Sequence, residues 1–87
     1  MDKRIGFVGI IIEDRAMAPM VNAVLSAFGG IINGRIGVPD HVSGQSVIGL
    51  VVEGSNDDLG ALTGKIGNLK GVSCKAALSR KKEIEHA

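Results

Sequence analysis

The chain has 87 residues, enough for one domain with a single modest core. A formal charge of +1 gives no electrostatic pull toward nucleic acid or an anionic membrane, and two Phe are too few aromatics for a base-stacking surface. The single cysteine, Cys74, excludes an intrachain disulfide framework and a cysteine-rich zinc site.

Arg4 to Ile12 predicts a strand rich in Ile and Val. Ile5, Phe7 and Ile11 fall on one face and Val8, Ile10 and Ile12 on the other, so both faces are apolar. The stretch is too short to span a bilayer. It follows basic Lys3-Arg4, but no cleavage-site pattern comes after it and acidic Glu13-Asp14 follows directly. A secretory signal is therefore disfavoured and a cytoplasmic location expected. Asp14 is placed to cap the next element. There, Met17, Met20, Val21, Val24, Leu25 and Phe28 form one helical stripe, with Asn22 and Ser26 opposite. Pro19 is tolerated only near a helix start, so the helix begins at Arg15 or later, and Gly29-Gly30 stops it.

Ile31 to Pro39 alternates, with Ile32, Ile36 and Val38 on one face and Asn33, Arg35 and Gly37 on the other; Pro39 suits an edge strand. Asp40 to Gln45 is a hairpin-sized loop with a Ser43-Gly44 turn signal. The strand from Ser46 is again apolar on both faces: Val47, Gly49 and Val51 against Ile48, Leu50 and Val52. Ser55 with Asp58 three residues on resembles a capping box, and Leu59, Leu62, Ile66 and Leu69 then recur at helical spacing. Lys70-Gly71 ends that helix. In the last strand Val72, Cys74, Ala76 and Leu78 face one way, and Ser73, Lys75, Ala77 and Ser79 the other. Arg80 to Ala87 is a charged tail expected to fray, leaving 1–79 as the domain.

The element order is β-α-β-β-α-β. Two-faced apolar strands belong at the centre of a sheet and half-polar ones at its edges, so the pattern predicts an α+β, ferredoxin-like fold. Its four-stranded antiparallel sheet has the order 4-1-3-2, with both helices on one face through right-handed crossovers. The second face would then expose roughly six aliphatic side chains, an area that monomers rarely leave bare. A homodimer or dimer of dimers is expected, with Val8, Ile10, Leu50 and Val51 as candidate interface residues. Gly60, Gly64 and Gly67 form a stripe opposite the core stripe of the second helix. Each costs about 1 kcal/mol against Ala, so the stripe marks either close approach of a partner or ligand, or a poor surface helix.

Catalytic chemistry is not evident. His41 and His86 are the only imidazoles; His41 is more often a solvated loop histidine than a metal ligand, and no metal site or cofactor is expected. Cys74 alternates inward, as a small core residue would. Glu13, Asp14 and Arg15 sit where the first strand meets the first helix, where free N–H groups could receive an anion; ordinary capping is the simpler account. Gly6-Phe7-Val8-Gly9 lacks the spacing of a dinucleotide fingerprint and lies inside a strand. Arg80-Lys81-Lys82 reads as a solvated end. Both helices are used to cover the sheet, so no helix-turn-helix is expected.

Ile12-Glu13-Asp14-Arg15, Arg35-Ile36-Gly37-Val38-Pro39, the segment from Asn56 to Gly67 and Gly71-Val72-Ser73-Cys74-Lys75 together resemble the small single-domain, ACT-like proteins named as regulators of the iron-only hydrogenase system. The resemblance covers about Lys3 to Leu78. More distantly the chain is similar to the sensory domain of nickel-responsive repressors, whose nickel is held by several histidines and a cysteine; His41 and Cys74 alone stand in for those. The resemblance implies a regulatory or sensory role without a DNA-binding domain, and carries over no catalytic residue. The expected function is an oligomeric sensor, cytoplasmic and not an enzyme. It would bind a small effector at a subunit junction near Glu13, Asp14 and Arg15 or beside Gly60, Gly64 and Gly67, and act on a regulated protein or in transcription regulation. An interaction module without ligand is the alternative.

Overall fold

The computed structural model describes residues 3–40 and 42–79. Strand β1 (Arg4–Ile12) leads through a 3-10 turn (Arg15–Met17) into helix α1 (Ala18–Ala27). A second 3-10 turn (Gly29–Ile31) precedes β2 (Ile32–Pro39), followed by β3 (Ser46–Gly54), α2 (Asn56–Gly67) and β4 (Val72–Leu78). The sheet order is β2-β3-β1-β4 and every pairing is antiparallel. This is the expected ferredoxin-like arrangement, with the two-faced strands β1 and β3 in the middle. His41, His86 and the charged 80–87 segment lie outside the described residues.

The helices start and stop for local reasons. Ser55 Oγ accepts from Asp58 N at 3.1 Å, the N-cap half of a capping box, and Asp57 and Asp58 lie in the first turn, where negative charge favours the helix dipole. Asp14 caps the 3-10 turn rather than α1: its Oδ1 accepts from Ala16 N at 3.0 Å. Pro19 stands in the first turn of α1, where its missing N–H is harmless.

The core lies between the helices and one face of the sheet. Val8, Ile10 and Ile12 of β1, Ile48, Leu50 and Val52 of β3, Val21 and Leu25 of α1, and Leu59, Leu62 and Ile66 of α2 are all buried. Each contributes roughly 1.5–3 kcal/mol on leaving water. Leu69 closes the α2 stripe half-buried, whereas Met20, expected in the α1 stripe, is 53% exposed. On β4, Val72, Cys74 and Leu78 pack against this core as the alternation predicts.

Strand β2 departs from simple alternation. The register slips between Ile32, opposite Val52, and Gly34, opposite Val51. Such a bulge reverses the side-chain parity. Ile32 therefore packs on the core, while Ile36, opposite Gly49, and Val38, opposite Val47, point to the other face. The expectation that Ile32, Ile36 and Val38 share a face is corrected accordingly.

Candidate functional site

Of the four candidate interface residues, Val8, Ile10 and Leu50 are fully buried beneath the helices and cannot meet a partner. Only Val51 lies on the uncovered face. Alternation shows that a strand has two apolar faces without showing which face the helices take. The open face carries Ile5, Phe7 and Ile11 of β1, Ile36 and Val38 of β2, and Val47 and Val51 of β3, each 40–68% exposed. A signal for this assignment was present: Gly9 and Gly49, directly paired, sit at the centre of that face, and a helix-packed core would hardly leave two side chains out there. Phe7 fills the gap. A Cβ on Gly49 would stand 2.6 Å from Phe7 Cζ, and one on Gly9 would stand 3.9 Å from Phe7 Cε2, so the ring lies over the glycine pair. Beside it is a hollow of about 230 Å3, lined by Gly9, Ile11, Val47, Ser73 and Lys75 among others, almost wholly with apolar surface.

A second cavity, of about 190 Å3, opens on the helix side between α1 and edge strand β2. Ile12, Ala18, Pro39 and Ile48 give it apolar walls. Its polar end is Arg35, whose Nη2 donates to Asn22 Oδ1 at 2.9 Å, with Ser46 nearby in the lining. The helix-facing parity of Arg35, opposite Leu50, follows from the β2 bulge. The space corresponds to roughly six water-sized groups, below the ~300–1,000 Å3 of pockets for drug-sized ligands.

Glu13 and Asp14 join Ile12 to the 3-10 segment that opens with Arg15, and none of the three is in the lining of that cavity. Their backbone is already engaged. Glu13 N and Asp14 N both donate to Gly71 O, at 2.8 and 3.3 Å, and Met17 N donates to Asp14 O at 2.9 Å. Of the N–H groups that could receive an anion there, those of Glu13, Asp14, Ala16 and Met17 are thus bonded within the chain. Gly60, Gly64 and Gly67 are exposed, an added Cβ on any of them would meet nothing within 4 Å, and none lines either cavity. The structure does not bring the glycine stripe and the Glu13–Arg15 turn into one site.

Cys74 is half-buried on the core side of β4, and burial pushes its thiol pKa up, which lowers the reactive thiolate fraction. Among the described residues no group of three or more His, Cys, Asp or Glu is placed to hold a metal ion, and no helix is long and apolar enough to cross a membrane.

Residues 4–76 match the TM1266-like family model, described as "Iron-only hydrogenase system regulator, putative". The uncharacterized protein TM1266 from Thermotoga maritima is 38% identical, with 87% of this chain and 96% of that chain covered at a TM-score of 0.83. The ACT domain of GTP pyrophosphokinase from Chlorobium tepidum is 21% identical, covering 98% of this chain and 96% of its own at 0.66. CPII, a nitrogen regulatory PII-like protein from Thiomonas intermedia K12, in a structure bound to ADP, AMP and bicarbonate, is 16% identical, with 92% and 97% covered at 0.57. At such identities these last two likenesses concern the fold alone. No curated protein is significantly similar in sequence. The chain belongs to the TM1266-like family, the family named for the iron-only hydrogenase system regulator, and has that family's ACT-like, ferredoxin-like fold.

Proposed function

We propose that the protein is a regulatory sensor rather than an enzyme, working in the cytoplasm as a homodimer or dimer of dimers. A small effector would occupy the α1–β2 cavity, beside the sheet edge formed by β2, where a further subunit could pack. The observation that carries this reading is the cavity itself: apolar walls from Ile12, Ala18, Pro39 and Ile48, with the Arg35 guanidinium at its polar end. That combination suits a ligand with a short apolar body and an anionic or hydrogen-bond-accepting head. The volume within one chain limits the ligand to a compact metabolite; a nucleotide would need a partner's surface to extend the site.

Family membership supports a regulatory role. The Glu13–Arg15 turn directly follows Ile12 of the cavity wall and is the candidate segment through which occupancy would bias assembly. The glycine stripe of α2 is a candidate surface for the regulated protein or another subunit. An effector that binds one assembly state better than another would shift the balance between them by no more than its differential affinity.

Native mass spectrometry of the gently purified protein, followed by titration of small carboxylates and nucleotides, tests the reading. The expected result is an oligomer that retains or takes up a small mass, with uptake at least about tenfold weaker in Arg35→Ala, as for the loss of a charge-assisted hydrogen bond. An oligomer that takes up no compound and is unaffected by Arg35→Ala would leave the interaction module in its place, a role favoured by the apolar open sheet face.

A further inference from the structure

We infer that the open face of the sheet is the surface through which two copies of this chain stack, sheet on sheet, about a twofold axis. The inference deepens the oligomeric part of the proposed function and is independent of any ligand. It rests on three features of the face: its extent, its charge and its relief.

Extent comes first. Seven large apolar side chains (Ile5, Phe7, Ile11, Ile36, Val38, Val47 and Val51) are each between 40 and 68% exposed on one continuous surface. Partly exposed side chains of this size present on the order of 100 Å2 each, so together they expose roughly 600–700 Å2, at or beyond the largest patch of an ordinary monomer. A standard stable interface buries ~800 Å2 per partner, and Ser73, Lys75, Ala77 and Glu53 at the margin of the same face supply the remainder.

Charge is arranged as in an interface, with an apolar centre and a polar rim. Glu53 lies at one end of the face, beside Ile5, and accepts from Asn33 Nδ2 at 3.4 Å. Lys75 lies on the outer strand β4, beside Gly9. One acid and one base leave the face without net charge, so a second copy meets no like-charge barrier. A strongly basic or acidic partner would find no complement there.

The relief is self-complementary. The Phe7 ring, lying over Gly9 and Gly49, forms a ridge, and the hollow of about 230 Å3 bounded by Gly9, Ile11, Val47 and Ser73 lies next to it. A twofold operation gives each copy both features, so each ridge can enter the other's hollow. Glycines at the centre of both middle strands let the ring lie close against the backbone, leaving the hollow beside it open.

The test uses protein stripped of ligand by unfolding and refolding, examined by sedimentation equilibrium together with circular dichroism. The wild type is expected to associate at micromolar concentration. Phe7→Lys and Val51→Glu are each expected to weaken association by at least about 30-fold while the circular dichroism is unchanged, the effect of removing a buried anchor. Met20→Lys, on the outer side of α1, is expected to leave assembly intact. A wild type that stays monomeric, or a folded Phe7→Lys protein that assembles as tightly as wild type through an edge strand or the helices, overturns the inference. A second measurement does not depend on the variants. In the assembled wild type, the methyl groups of Ile11 and Val47 should be shielded from a soluble paramagnetic probe while that of exposed Val42 is not. Equal accessibility of all three overturns the stacking. Because no ligand is present, these outcomes are separate from those that test the effector cavity.

Discussion

The two faces of the sheet are built from alternate residues of the same strands, yet they have opposite characters. The helix-covered face is continuous aliphatic packing: Val8, Ile10 and Ile12 beside Ile48, Leu50 and Val52, with exposures from 0 to 6%. The open face holds side chains of the same chemistry, interrupted at the centre by Gly9 and Gly49 and bridged by one aromatic ring. Hydrophobicity therefore does not distinguish core from surface in this protein. Volume filling does, because a packed interior needs every position occupied, whereas a docking surface can trade side chains for low relief.

The sharpest way to break the comparison is to truncate neighbours on opposite faces. Leu50→Ala, in the core, is expected to destabilise the fold by about 2–5 kcal/mol through lost burial and a residual cavity. Val51→Ala, one residue along, is expected to change chain stability by about 1 kcal/mol or less, with its main effect on self-association. Urea unfolding at low protein concentration measures both, and equal losses would show that the faces do not differ as described.

A smaller pair of effects comes from the glycines. An Ala Cβ at Gly6, on the covered side of β1, would lie 2.6 Å from the carbonyl oxygen of Ala77. That atom is backbone and cannot step aside, so Gly6→Ala is expected to cost about 1–3 kcal/mol. At Gly49 the obstacle is the rim of the half-exposed Phe7 ring, which can swing away. Gly49→Ala is expected to cost on the order of 1 kcal/mol or less in thermal unfolding, but to flatten the ridge and weaken assembly.

The smallest expected effect touches neither face and serves as a control. Asp40, in the loop between β2 and β3, accepts from Ser43 Oγ at 2.7 Å and from Val42 N at 3.0 Å. The Ser43 hydroxyl first, then the Val42 N–H, hold its carboxyl pKa below the usual range. A lowered folded pKa means the turn's stabilisation is present above the ordinary carboxylate pKa and fades as pH falls through the lowered value. Amide shifts of Val42 and Ser43 should therefore titrate in acid while those of Leu50 and Val51 stay fixed.

Much of the fold was legible in the sequence because it depends on short-range periods. The stripe Leu59, Leu62 and Ile66, the Ser55 cap and the Pro39 edge each report on neighbours within a few residues, and the two-faced strands placed themselves at the centre. What was not legible depends on events between elements. The bulge at Asn33-Gly34 reverses β2, moving Ile36 and Val38 onto the open face and Arg35 onto the helix side, where it joins Asn22 from α1. The cavity could not be read from either segment alone. The engagement of the Glu13 and Asp14 amides was not legible for the same reason: their acceptor is the Gly71 carbonyl, 57 positions beyond Asp14 in the chain.

The central position of β1 also governs how the chain can be made. Both of its neighbours, β3 and β4, come from the second half of the sequence, so the first strand in the chain waits longest for its hydrogen-bonding partners. Such remote pairings close slowly. Until they close, a ribosome-bound or refolding chain displays Ile5 to Ile12, a β-branched segment without an internal charge and apolar on both sides. That is the composition that seeds intermolecular strands. Arg4 at its start and Glu13-Asp14 at its end are the charges that flank it. The arrangement that gives β1 a hydrogen-bonding neighbour on each side in the finished molecule leaves it the longest without one during synthesis.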